Sequence, residues 1–301
     1  MNEPPRPDPA HFWCSPRRFG WVLALLLVAL FPGVVSGATS FFYRDFGVLA
    51  WPTVWHHRAA FWRGELPLWN PLSHCGVPFL AQWGTMTLYP GALLYLLLPL
   101  PWSLNLFCLL HLWLGGVGMH RLARAHTENA FAAGFAGMAF TFNGLTMSCL
   151  MWPNYTAALG WMPWVVLLLE HGSRYGGLTL VGAVFLTALQ LLSGAPELVG
   201  LTWLVSAVAA LHSHQRGAPR SRRLGRLGLV WLAAIALCAV QLFPFFELLA
   251  HSQRVGEPLA EKWSLPVWAW INLLAPRVHT VSNTHGMVCQ PGQEFFASTY
   301  L

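Results

Sequence analysis

The sequence predicts an all-α, polytopic membrane protein, and three observations predict it. Charged residues make up only 9% of the 301 residues and hydrophobic ones 55%, whereas a soluble domain carries about 25% charge. So few charges cannot cover a water-facing surface. Apolar stretches of nearly the length a bilayer demands, about 20 residues, recur along the chain. The 17 Trp and 19 Phe are rings of the kind that collect at membrane interfaces. This composition excludes an ordinary cytosolic enzyme and a disordered tail. It also excludes a nucleic-acid binder, despite a net charge of +6 and a pI near 9.3.

Seven stretches read as spans: 19–38, 103–123, 130–149, 156–170, 177–193, 196–212 and 227–249. The whole of 1–301 is then one membrane domain. A cytoplasmic tail (1–18) leads into the first span. An external loop with interfacial helices (39–102) follows, then spans two to seven within 103–249, then a second external loop (250–301). The first span reads as uncleaved, because Ala-Thr-Ser-Phe-Phe-Tyr after it is a poor signal-peptide cleavage site. The run 88–100 is bracketed by prolines and too short to cross, so it reads as an interfacial or re-entrant piece. The last ten residues read as the approach to a further span.

Basic residues set the orientation. With the N-terminus inside, eleven fall in cytoplasmic segments, among them Arg17, Arg18, Arg121, Arg124, Arg174 and the cluster 216–226. Six fall outside: Arg44, Arg58, Arg63, Arg254, Lys262 and Arg277. Counting 88–100 as a crossing would place the Arg-rich cluster outside, which the positive-inside rule disfavours. That cluster reads as an anchor for anionic lipid. Acidic residues gather on the outer face instead: Asp45, Glu65, Glu197, Glu257, Glu261 and Glu294, with Glu247 at the end of a span.

The six cysteines have no CxxC or zinc spacing, and most lie in apolar runs where a thiol behaves as a small core residue. Cys75 and Cys289 alone fall in long polar loops, and a disulfide between those loops is one expectation; two free thiols is the other.

The first external loop opens with Arg44-Asp45 directly after the first span. Charges at that depth are costly unless solvated or paired. The pair is either a surface ion bridge or a site carboxylate with a neighbouring cation. In the residues that follow, Trp51, Trp55 and Trp62 fall within about 40° of one another on a helical wheel, the pattern of a helix lying in the interface plane. Pro52 suits its first turn, so the helix is expected to begin near Trp51. His56 and His57 read as interfacial side chains. Residues 63–71, with Gly, Asn and two Pro, read as an ordered turn. Gln190 and Gln241 read as interhelical hydrogen-bond donors, and Asn143 and Asn154 as structural residues of an outer turn. Glu197, in the break after Ser-Gly-Ala-Pro, is either solvated or turned into an outer cavity.

These motifs, in order, carry a resemblance. Arg44-Asp45, Phe-Trp-Arg-Gly-Glu-Leu-Pro-Leu-Trp-Asn-Pro (61–71), Cys-Gly-Val-Pro-Phe-Leu-Ala (75–81) and Leu-Tyr-Pro-Gly (88–91) resemble the YfhO family of bacterial membrane proteins. The stretches 109–119, 190–197 and 241–248, Glu294 and Tyr300-Leu301 fit the same pattern. The chain resembles an N-terminal portion of such a protein.

That family in turn resembles the GT-C glycosyltransferases. The resemblance implies sugar transfer from a polyprenyl-phosphate carrier to a cell-envelope glycan or lipid acceptor, on the outer face of a bacterial inner membrane. It implies Asp45 as catalytic base, since that family carries an acid near the end of the first span. Arg44, Arg63 and Arg254 are then candidate phosphate partners. Glu65, Glu197 and Glu294 are further substrate-binding candidates. With Asp45 they could supply oxygen ligands to a divalent cation, Mg2+ or Mn2+. Two other functions stand beside this one: a transporter or flippase of a lipid-linked intermediate, and a non-catalytic membrane subunit. Span centres almost free of charge argue against ion-coupled transport.

Overall fold

The computed structural model describes residues 15–212, 218–252, 267–268, 271, 281–282 and 288–289. It is mostly helical. Helix α1 (Pro16–Leu30) begins with Pro16, whose fixed φ suits a first turn, and Pro32 restarts the path as the short α2 (Pro32–Ser36). A π-helical turn, Phe46–Ala50, runs directly into α3 (Trp51–Trp62). Two 3-10 turns (Trp83–Thr85 and Pro90–Ala92) lead to the five-residue α4 (Leu93–Leu97). Next come α5 (Trp102–His126), α6 (Ala130–Phe142), α7 (Gly144–Ser148) and a 3-10 turn at Cys149–Met151. The series closes with α8 (Pro153–Tyr175), α9 (Leu178–Leu192), α10 (Pro196–His212), α11 (Arg220–Leu237) and α12 (Ala239–His251). Two-residue strands β1 (Val281–Ser282) and β2 (Val288–Cys289) pair antiparallel.

Two of these segments are long and apolar enough to cross a membrane, Trp102–His126 and Ala130–Met151, and the pair α11–α12 makes a third if taken as one. Helices also stand at the other stretches read as spans. The last such stretch, 227–249, is not one helix: α11 and α12 meet at 80°. Cys238 sits at the break, buried, with its thiol against the Ala188 carbonyl. The run 88–100 does not cross, its helix being five residues long.

Helix α5 is the central element, packing on α1, α6 and α8. Its Leu-Gly-Gly-Val-Gly run explains the closeness. A Cβ at Gly116 would collide with Thr141 of α6 and Leu23 of α1. Small residues let helix backbones approach where the surrounding medium offers no hydrophobic drive. A few polar side chains inside the bundle bond from one element to another. Gln190 Nε2 donates to the Ala158 carbonyl (3.1 Å) and to Thr202 Oγ1 (2.9 Å), joining α9 to α8 and α10. Gln241 Nε2 donates to the Leu80 carbonyl, tying α12 to the first loop. Cys108, Cys149 and Cys238 are buried, as small core residues.

The two ends of the bundle differ in chemistry. At one, Phe19 stacks on His120, His126 meets Glu170 at 3.0 Å, and Arg226 donates to the Ser173 and Arg174 carbonyls. This end gathers Arg124, Arg174, Arg223 and Arg226. The opposite end carries Asp45, Glu197 and the loop 63–89.

Candidate functional site

The site is built from three chain breaks. The first is the link from α2 to α3. Asn105 of α5 pins it: Asn105 Oδ1 accepts from Ser40 Oγ (3.2 Å) and from the Phe41 backbone N–H (3.3 Å). Phe41 packs edge-on against Phe46. Between them Arg44 takes a left-handed conformation, φ 48°, which a non-glycine residue rarely adopts. The turn delivers Asp45 to the head of the π-helical turn, both charged residues half-buried.

The second break is the start of α8. Pro153 opens that helix, and the residue before a proline is pushed to extended backbone; Trp152 has φ −125° and ψ 94°. Its indole Nε1 donates to Asp45 Oδ2 at 2.6 Å. The third break lies between α9 and α10. Gly194 turns it at φ 82°, pressed against Trp83 and Gly84 so closely that a Cβ would overlap the Trp83 carbonyl. Asn154 Nδ2 donates to the Gly194 carbonyl at 3.0 Å. The turn sets Glu197 in the first turn of α10, where the helix dipole favours an anion. Tyr155 donates its hydroxyl to Glu197 Oε2 at 2.9 Å.

Trp152, just ahead of α8, and Tyr155, in its first turn, lie side by side with their rings 5.6 Å apart. Adjacent aromatic donors therefore hold the two carboxylates. Both acids, with Arg44, Gln82, Trp83, Asn154 and Phe245, line a cleft of about 950 Å³. Beside it runs an apolar groove of about 360 Å³, lined by Phe41, Phe42, Tyr43, Phe46, Met147, Leu150 and Met151. A narrow space of about 50 Å³ touches both, sharing Met151 with the groove and Asp45 and Trp152 with the cleft.

No family model, no curated protein and no solved structure matches this chain.

Of the site residues expected from sequence, the structure brings Arg44, Asp45 and Glu197 together. It does not bring Arg63 and Glu65 to them. Those two form an exposed ion pair with each other, 2.8 Å, at the far end of α3, about 25 Å of helical rise from Asp45 at 1.5 Å per residue. Arg254 and Glu294 lie outside the described residues. Among the described residues, no three His, Cys, Asp or Glu side chains converge on a point where a metal could sit. Asp45 and Glu197 are the carboxylates on the cleft; a Mg2+ ion held by one or two carboxylates would take its other ligands from water and substrate phosphate. Cys75 is an exposed free thiol, and the side chain of Cys289 lies outside the described residues.

Sequence reasoning missed Trp152, Tyr155, Gln82 and Trp83. The Trp-Pro-Asn-Tyr run at 152–155 is the available signal, because a proline after an aromatic at a helix start projects that ring out of the helix. Helix α3 begins at Trp51, as Pro52 in its first turn suggests, and the π-helical turn Phe46–Ala50 leads into it. One further expectation needs correction. His56 and His57 are buried, packed on Phe79, with Tyr95 beside His57, while Trp55 and Trp62 face outward. Burial holds both imidazoles below the ordinary range, His57 down to about 4.

The quoted motifs also have a structural meaning. Tyr89 of Leu-Tyr-Pro-Gly shares a 2.6 Å hydrogen bond with His111 Nε2 and accepts one from Trp161 Nε1 (2.6 Å), while His111 Nδ1 meets the Phe107 carbonyl at 2.7 Å. If Nδ1 carries the proton, the tautomer is the one in which Tyr89 donates to Nε2. The chain of bonds ties the run 88–100 to α5 and α8.

Proposed function

We propose that the chain is the catalytic membrane portion of a glycosyltransferase of the GT-C type, resembling the YfhO family. It moves a sugar from a polyprenyl-phosphate donor to a cell-envelope glycan or lipid acceptor on the outer face of a bacterial inner membrane. Seven spans are part of this proposal, the last of them, read from sequence as 227–249, cut back to α11, with the basic end of the bundle cytoplasmic, the N-terminus inside and residue 301 outside. The observation that carries the reading is the position of Asp45, where a polar cleft and an apolar groove meet. An amphiphilic donor needs both: the groove suits its hydrocarbon chain and the cleft its sugar.

The chemistry follows from the residues present. An acceptor hydroxyl oxygen bonds to the anomeric carbon as the bond from that carbon to the phosphate oxygen breaks. The hydroxyl proton passes to the Asp45 carboxylate, and the electron pair of the broken bond leaves on the lipid phosphate. Trp152 holds Oδ2 through its indole N–H, which orients the carboxylate and leaves Oδ1 as the acceptor. Arg44, next in the chain, is the cation for the phosphate. Glu197 hydrogen-bonds hydroxyls of the bound sugar, and Trp83 and Trp152 offer aromatic faces in the same cleft.

The test is sugar transfer in membranes containing the protein. Asp45→Asn keeps size and removes the base, so turnover falls by a factor of about 10²–10⁴ with insertion unchanged. Arg44→Gln weakens donor binding more than it slows the chemical step. Normal insertion with wild-type transfer by Asp45→Asn rejects the assignment.

A further inference from the structure

We propose that α12 does not complete a span but lies in the plane of the membrane surface, seated at the boundary between lipid headgroups and acyl chains, where it forms the lipid-side lip of the cleft. The first observation is the 80° turn from α11. Helix α11 runs from the basic end, where Arg226 meets the α8 carbonyls, to the cleft end, where Cys238 meets α9. A helix at 80° to that path lies nearly parallel to the surface that α11 reaches.

The second observation is that α12 has three faces rather than two. At 100° per residue, Leu248, Gln241 and Phe245 fall within about 60° and face the protein. Gln241 is bound to the Leu80 carbonyl, Phe245 lies against Trp83 at 5.0 Å, and Phe245 and Leu248 line the cleft. Phe243, Phe246 and Leu249 cover the next sector, and they are 73%, 55% and 47% exposed. Glu247 and His251, about 40° apart on the wheel, put two exposed polar side chains in a third sector, which the exposed Val240 at the start of the helix shares. A helix inside a bilayer needs no polar sector, and one in water leaves no phenylalanines bare. Contact with protein, acyl chains and water at once occurs at the membrane interface.

The third observation is continuity. Bare apolar side chains stand on both sides of the break at Cys238: Leu229, Leu232 and Leu237 of α11 are 57%, 68% and 56% exposed, and Val240 of α12 is 65% exposed. The occupant of this face is therefore the bilayer that covers α11, not a partner protein. The consequence is positional: the rim of the cleft stands at headgroup depth. This inference rests on the chain being a membrane protein and not on its being a transferase.

The experiment uses the full chain with Cys14, Cys75 and Cys289 replaced by serine. Single cysteines are placed by Phe243→Cys, Phe246→Cys, Leu249→Cys and Glu247→Cys, with Leu232→Cys on α11 as the reference inside the span. Each is labelled with a polarity-sensitive fluorophore in vesicles of phosphatidylcholine and phosphatidylglycerol. The lipids carry bromine at a shallow or a deep acyl position, and iodide serves as the aqueous quencher. The three apolar positions should be quenched about twice as strongly by shallow as by deep bromine, as fits burial of about 5–10 Å. They should share one depth, and the Glu247→Cys label should answer to iodide. A depth that changes steadily from 243 to 249 would mean a crossing helix and overturn the proposal. Iodide quenching of all four, with Leu232→Cys still deep, would mean a water-exposed helix and overturn it equally. A variant that fails to insert is replaced by Ala250→Cys, which lies in the same sector. The outcome is independent of the Asp45→Asn assay, so either reading can fail alone.

Discussion

The two ends of this bundle are built from similar residue types and put them to different use. At the basic end, charges meet backbone: Arg226 satisfies the last carbonyls of α8, and Arg223 Nε donates to the Ala218 carbonyl at 2.7 Å. The Arg226 contact is of the kind expected of a cation at a helix C-terminus, while Arg223 bonds to the chain just ahead of its own helix. The one buried acid there, Glu170, is met by His126. At the cleft end, the acids are held by neutral donors instead, Asp45 by an indole and Glu197 by a phenol. A carboxylate that accepts from one neutral donor keeps the rest of its acceptor capacity for a ligand. The comparison teaches that an acid is informative by the kind of partner that holds it, more than by its presence.

Four changes would break or sharpen that contrast. The largest effect is expected for Asp45→Asn against Glu170→Gln: transfer falls about 10²–10⁴-fold in the first and stays near wild type in the second, measured in the same membranes. Next is Trp152→Phe, which keeps the ring and removes the N–H. A hydrogen bond to a charged group contributes about 1.5–3 kcal/mol, so transfer should fall roughly 10- to 100-fold. Tyr155→Phe should act on substrate affinity instead, through Glu197. An undiminished rate in Trp152→Phe would remove the indole from the mechanism.

A smaller effect is expected from pH. His57 titrates near 4 in the fold against about 6.5 when exposed. The unfolded chain binds the extra proton in that window, so stability is full above about 6.5 and declines as pH falls toward 4. Thermal unfolding in detergent at pH 7 and pH 5 should show the decline, and His57→Leu should flatten it. The least effect belongs to Arg226→Ala, about 1 kcal/mol of stability for a cation at a helix end with turnover unchanged. Loss of transfer in that variant would show that the two ends are coupled.

Composition and apolar run length determined, from sequence alone, that the chain is helical and suited to a membrane, that 88–100 is too short to cross, and that Gln190 joins helices, whereas Gln241, read the same way, bonds to a loop carbonyl instead. Those properties depend on local pattern: a run of apolar side chains excludes water whatever its neighbours are. The motif Arg44-Asp45 could be singled out in the same way, because charge beside a span is costly wherever it occurs.

Tertiary structure alone decided the rest. Asp45 and Glu197 are 152 residues apart, and they share a cleft because Trp152 and Tyr155, side by side at the start of α8, each hold one of them. Arg63 and Glu65 resembled site residues in sequence but meet each other, since the helix that carries them leads away from the cleft. The stretch 227–249 has the length and apolarity of a span, and only the direction taken after Cys238 makes it two helices. Hydrophobicity records how much surface a residue hides; the direction in which the chain turns depends on which distant backbone it packs against.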